Sequence, residues 1–136
     1  MSYDTKEARL RCEQVIEDAF ARAETLYGMT FRRPTVLWRN MGGCAGLACY
    51  GPWELHLSPH ALATEGDRFI ERTPVHEVAH FVAFVVWKEA GHSSYWRAVL
   101  ASLGGKDLGR CHDFAMADAP RESKKRARYL RALDNL

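Results

Sequence analysis

Two histidines and a glutamate stand together at His76-Glu77-Val78-Ala79-His80, and their spacing is the strongest chemical signal in the chain. On an α-helix, residues four apart share one face a turn apart, so both imidazoles reach a common ion. Glu77 lies about 100° further round the axis. It therefore leans over the open side of such an ion without filling a coordination position. Two neutral nitrogen ligands beside a free carboxylate are what a zinc hydrolase needs to activate a water and accept its proton. The surroundings strengthen this reading, because Val75 to Trp87 is otherwise almost wholly apolar. Polar groups buried in such a helix without partners are costly. A plain structural role for the histidines leaves Glu77 unexplained.

Catalytic zinc usually takes three protein ligands and leaves the fourth place to water. His92, directly after Gly91, is the favoured third ligand. A helix continued from His80 to Ala90 would carry the chain about 15 Å away, too far for two further residues to bring His92 back. The zinc helix is therefore predicted to end near Trp87 or Lys88, with Glu89 to Gly91 reversing the chain. His112, beside Cys111, is the next candidate. His60 follows a Ser-Pro turn and reads as surface, while His56 falls on the polar face of a strand and reads as solvated. Cys44 and Cys49 could join Cys111 and His112 in a second, structural zinc site, but no tight Cys-x-x-Cys pair supports it. Tyr95 is a candidate oxyanion contact.

The elements that must position these residues read as α+β. Apolar residues from Leu10 to Leu26 recur at helical spacing, predicting one long helix over 3–27 that Gly28 stops. Pro34–Arg39, Leu47–Tyr50 and Trp53–Leu57 read as short strands, separated by glycine-rich turns, in a three-stranded antiparallel sheet. In the last of these, Trp53, Leu55 and Leu57 alternate with Glu54 and His56, so its polar face is a possible rail for an extended peptide. A polar connection covers 60–72. Thr73-Pro74 then looks like the N-cap and first turn of the buried zinc helix. Ser93 or Ser94 caps a following helix over about 95–103.

At 136 residues, 47% hydrophobic and 26% charged, the chain has the size and composition of one globular domain. Its formal net charge of +2 hides a polarity. Arg121, Lys124, Lys125, Arg126, Arg128 and Arg131 face only Glu122 and Asp134 in the last sixteen residues, leaving the rest of the chain mildly acidic. Residues 1–118 are expected to form the domain and 119–136 a basic tail that is helical or mobile, offering DNA a salt-sensitive contact. No apolar run approaches the ~18 residues that span a bilayer. The charged first residues lack a signal core, so the expectation is a cytoplasmic monomer with reduced cysteines and no membrane association.

These residues resemble the SprT-like zinc metalloproteases, the group that includes the Spartan proteases. The resemblance runs over roughly residues 10–114. It rests on Arg11-Cys12-Glu13 and Leu26-Tyr27-Gly28, Cys44-Ala45-Gly46-Leu47-Ala48, Glu54-Leu55-His56-Leu57-Ser58-Pro59, the His76–His80 segment, Gly91-His92-Ser93-Ser94-Tyr95-Trp96 and Leu103-Gly104. It implies a compact zincin-like domain with one catalytic Zn2+, His76, His80 and His92 as ligands, and Glu77 as general base. It further implies peptidase activity, with proteins bound on or crosslinked to DNA as substrates in the best understood branch. Members commonly carry His-Gly where this chain has His92-Ser93. Many bacterial members end in a four-cysteine ribbon, whereas no cysteine follows Cys111. Two other readings accompany this one: a zinc-stabilised nucleic-acid- or protein-binding module that cuts nothing, and a peptidase acting on a soluble cytosolic protein without DNA.

Overall fold

The computed structural model describes residues 2–106 and 114–135. It is a mixed α+β domain in the order α1 (Lys6–Tyr27), β1 (Thr35–Trp38), β2 (Gly46–Cys49), β3 (Glu54–Leu57), α2 (Pro59–Glu65), α3 (Asp67–Trp87), α4 (Ser94–Ser102) and α5 (Lys124–Asp134). The Thr5 side chain caps α1 by accepting the Ala8 N–H, and Gly28, at φ 64°, closes it in the left-handed conformation that glycine adopts without penalty. Ala8, Cys12, Ile16, Ala19, Phe20 and Ala23 form its buried stripe, and α1 lies along α3.

The sheet is mixed, not antiparallel. Its order is β1-β3-β2, with β3 antiparallel to β2 but parallel to β1. The short turn after β2 closes an ordinary hairpin, whereas residues 39–45 separate β1 from β2. Seven residues reach up to about 23 Å, enough to skip one strand position of about 4.8 Å and leave room for β3. β3 thereby becomes the central strand, and all four of its residues are buried.

That position overturns the expectation for His56, which is fully buried rather than solvated. Leu55 and Leu57 face the main core, while α5 packs beside β1 and reaches the polar face of β3 through Arg128. Arg39 Nε donates to His56 Nδ1 at 2.8 Å, so the ring proton sits on Nε2, 3.1 Å from Glu54 Oε1. Arg128 grips the same carboxylate with Nε at 2.9 Å and Nη2 at 2.9 Å. A central strand has no free edge, so β3 is not a peptide rail.

Helix α3 also starts earlier than Thr73-Pro74 predicts. It begins at Asp67 and carries Pro74 internally, while α2 occupies much of the expected connection. A proline inside a helix costs about 3 kcal/mol. Here Phe69 and Ile70, one turn before it, are buried in the core and hold the preceding turn in place. Tertiary burial overrides the local signal. The far end falls where reach demanded: α3 stops at Trp87, and Lys88 takes a left-handed φ of 59°.

The turn from α1 into β1 is pinned by Arg33, which bridges Glu17 and Glu24, while Glu24 also accepts the Phe31 N–H. The Arg33 guanidinium, and then the Phe31 N–H, hold the Glu24 carboxyl down at about 2. A depressed folded-state value contributes stability above the ordinary carboxylate range and loses it as pH falls. Urea denaturation should therefore show Glu24→Gln less stable than wild type at neutral pH. The gap should narrow as pH drops from about 4.5 toward 2.

Candidate metal centre

His76 and His80 project from one face of α3 and are 5% and 7% exposed. After the helix stops, Gly91 at φ 78° completes the reversal, and the Ser93 hydroxyl caps α4 by accepting the Trp96 N–H at 3.2 Å. His92 sits between these two devices. Its Nε2 lies 3.1 Å from His76 Nε2, and the ring centroids of His80 and His92 are 4.8 Å apart. One ligand nitrogen from each of the three rings lies within 4.8 Å of the others.

Tetrahedral coordination with Zn–N bonds near 2.0–2.1 Å needs nitrogens roughly 3.3 Å apart. The closest pair, at 3.1 Å, already meets that, and the other pairs lie within 4.8 Å. A single shared proton would account for the His76–His92 approach but not for the third ring. Burial, and then the neighbouring His92, push the His80 imidazole down to about 4. It is therefore held neutral, the form that binds metals. His80 Nδ1 is buried without a hydrogen-bond partner, and a buried polar atom left unpaired is costly. Three imidazoles converging in this way suit a divalent ion of the zinc class.

Sequence reading missed Trp96. Fully buried, it stacks on His80 at 5.1 Å and 17° and meets His76 and His92 edge-on at 4.8 and 4.5 Å. Its indole N–H donates to the His76 carbonyl at 3.3 Å. One side chain thus braces all three rings. Its place four residues after His92, one turn into α4, was the available clue.

Glu77 is 4% exposed, and its Oε2 lies 3.9 Å from His76 Nε2. Burial pushes its carboxyl up to about 8; a cation held by the neighbouring imidazoles acts in the opposite direction. Gly46 on β2 packs directly against it: a Cβ there would lie 2.7 Å from Thr73 Cγ2 and 2.9 Å from Glu77 Oε2. Only glycine lets the strand approach the carboxylate so closely. The trio opens into a cleft of about 830 Å³, lined by two further stretches of chain, residues 43–48 with Tyr50, and Phe114, Met116 and Ala117.

Other candidates lie elsewhere. Tyr95 is exposed and stacks on Trp87 at 5.2 Å. His60 opens α2, its backbone N–H held by Asn40. Cys111 and His112 lie outside the described residues. Cys12, Cys44 and Cys49 are free thiols. Of the six basic residues, Arg128 pairs with Glu54, Arg131 approaches Glu13 at 4.0 Å, and the Arg121 guanidinium covers Gly42. Arg121, Lys124, Lys125, Arg126 and Arg128 are all exposed, and Arg131 is partly buried. Among the described residues no helix is long and apolar enough to cross a membrane.

The SprT-like family model matches residues 16–115. The chain belongs to the SprT-like family. It is 31% identical over 103 residues to Protein SprT of Pseudomonas paraeruginosa, covering 74% of this chain and 62% of that protein. To Protein SprT of Erwinia tasmaniensis it is 32% identical over 112 residues, or 79% of this chain and 62% of the relative. Cronobacter sakazakii Protein SprT is 30% identical over 105 residues, covering 74% and 61%. This SprT-like chain thus spans about three-fifths of the length of the curated relatives it matches. No solved structure matches it.

Titration with zinc should show one ion bound per chain and a raised melting temperature. His92→Ala should weaken binding at least about a hundredfold, since losing even an outer partner of a ligand costs roughly 10–100-fold. Isothermal calorimetry with elemental analysis checks stoichiometry and affinity, and thermal denaturation with and without zinc checks the melting temperature.

Proposed function

We propose that this SprT-like protein is a zinc-dependent endopeptidase with a zincin-like site. The observation that carries the reading is the convergence of three imidazoles with a fourth, uncommitted group, the Glu77 carboxylate, at the floor of one cleft. His76, His80 and His92 would hold the ion. Bound there, zinc supplies Lewis acidity toward a water and a substrate carbonyl.

The remaining chemistry belongs to the protein. Glu77 accepts a proton from the attacking water and delivers it to the leaving amine. A cation held by the imidazoles favours the carboxylate needed for the first step, while burial makes the carboxyl, once protonated, a ready donor in the second. Gly46 packs against the carboxylate from one side, and Trp96 braces the three ring planes. The β2 strand is an edge of the sheet and lines the cleft. An extended peptide pairing with that edge would pass over the three histidines.

Proteins bound or crosslinked to DNA are the proposed substrates, in keeping with the family resemblance. Lys124, Lys125 and Arg126 are the residues left free for phosphate contact, and such binding weakens steeply with salt.

Glu77→Gln should bind zinc like wild type yet lose roughly 10²–10⁴-fold in kcat/KM, the range for a general acid–base group. Cleavage of casein or of the chain itself, with and without single-stranded DNA, measures this. Equal cleavage by the two proteins would remove Glu77 from the mechanism. Zinc binding with no cleavage by wild type under any condition would favour a zinc-stabilised binding module instead.

A further inference from the structure

The two walls of the cleft share an anchor that the metal site does not use. Residues 40–42 and 120–122 run alongside each other, joined by Gly42 N–H to Pro120 O at 2.9 Å and Glu122 N–H to Asn40 O at 2.7 Å. A bridge pairs Met41 with Arg121. The Glu122 carboxylate accepts the Asn40 N–H at 2.8 Å, and its carbonyl accepts Arg39 Nη1 at 2.9 Å. One strand of this ladder leads straight into the wall at 43–48, and the other comes straight from the wall at 114–117. Whatever holds the ladder therefore sets how far apart the walls stand.

What holds it is α5, a helix poorly suited to exist alone. Its eleven residues fall short of the ~12–15 that make an isolated helix even marginal in water. Five basic residues oppose a single acidic one, Asp134. Lys124, Lys125 and Arg126 crowd the first turn, where the helix dipole disfavours cations. Lys124 and Arg128 repel each other at i,i+4. Docking must therefore supply the stability, and the described contacts that do so are few: Ala127 is buried, Arg131 approaches Glu13, and Arg128 grips Glu54 on the central strand. That last pair is half in solvent, with side-chain exposures of 47% and 10%. Glu54 in turn is held by His56 and, through it, by Arg39, which also binds the ladder.

We infer that α5 is a detachable latch, and that Arg128, Glu54 and Glu122 are positioning residues that fix the width of the cleft by holding its two walls together. Undocking of α5 frees one end of each wall while α1, α3 and the three histidines stay in place. On the peptidase reading, which this regulation serves, loosening the latch changes KM for a protein substrate more than kcat.

The test uses the full chain loaded with zinc and compares wild type with Arg128→Gln and Arg128→Lys. Cys44, in the cleft wall, reports on opening through its alkylation rate by peptide mass spectrometry. The core residue Cys12, which is fully buried, reports on global unfolding in the same sample. Arg128→Gln should raise Cys44 labelling roughly fivefold, the scale on which a partly exposed ion pair counts. Amide exchange should rise together in 41–46, 114–117 and 120–135, with Cys12 unchanged and Arg128→Lys intermediate. Raising salt should open wild type in the same way and leave Arg128→Gln nearly unmoved. Faster exchange in α5 with Cys44 and both walls at wild-type rates would overturn the latch. So would parallel acceleration of Cys12, or a wild-type cleft indifferent to salt. Neither readout involves hydrolysis, so the latch and the peptidase reading stand or fall separately.

Discussion

The constraint around which this domain is organised is the burial of two imidazoles and a carboxylate in the otherwise apolar 75–87 stretch of α3. Polar groups removed from water must find partners or destabilise the fold. Along α3 the solution is local and geometric. His76 and His80 turn toward a third ring, Glu77 lies against a strand with no side chain at the point of contact, and Trp96 fills the space under the rings. The flanking residues are apolar and pack on α1, α4 and the sheet. Each neighbouring element can be read as an answer to the question of what accompanies these three groups.

How far this could be foreseen depended on whether the deciding force was local. The histidine pair was legible because helical spacing alone puts both rings on one face. His92 and the end of α3 followed from reach, since a longer helix would have carried the chain out of range. Four features were not legible. The start of α3 was misplaced because Thr73-Pro74 is a good local start signal, and only the burial of Phe69 and Ile70 overrides it. The sheet was misread because sequential strands usually pair, whereas the length of 39–45 lets β3 enter between its predecessors. His56 and Glu54 were assigned to solvent because alternation shows which residues share a face, not what covers that face. Gly46 was read as a flexible joint, and its actual role is a close approach that no local pattern encodes.

The covering of that polar face changes how the basic C-terminal segment is understood. Counted as charges, its six cations suggest one continuous surface. In the fold they divide: Arg128 neutralises a carboxylate on the central strand, Arg121 lies over a glycine, and Arg131 turns toward α1. Glu54 would otherwise be a buried acid beside a neutral histidine. The Arg128 guanidinium, and then His56, hold it below the ordinary carboxylate range against the opposing effect of burial. The segment is thus part of the interior chemistry of the sheet as well as of the surface.

The three rings are not equally mounted. Two are fixed to successive turns of a rigid, buried helix, while the third is only half-buried and hangs from a bend made by Lys88 and Gly91 in left-handed conformations. The two helix rings cannot shift without moving the core, whereas the third depends on a four-residue bend for its place and on Trp96 for its contact with the other two. The geometry of the trio is thus set from the helix side, and the bend is the part that must match it.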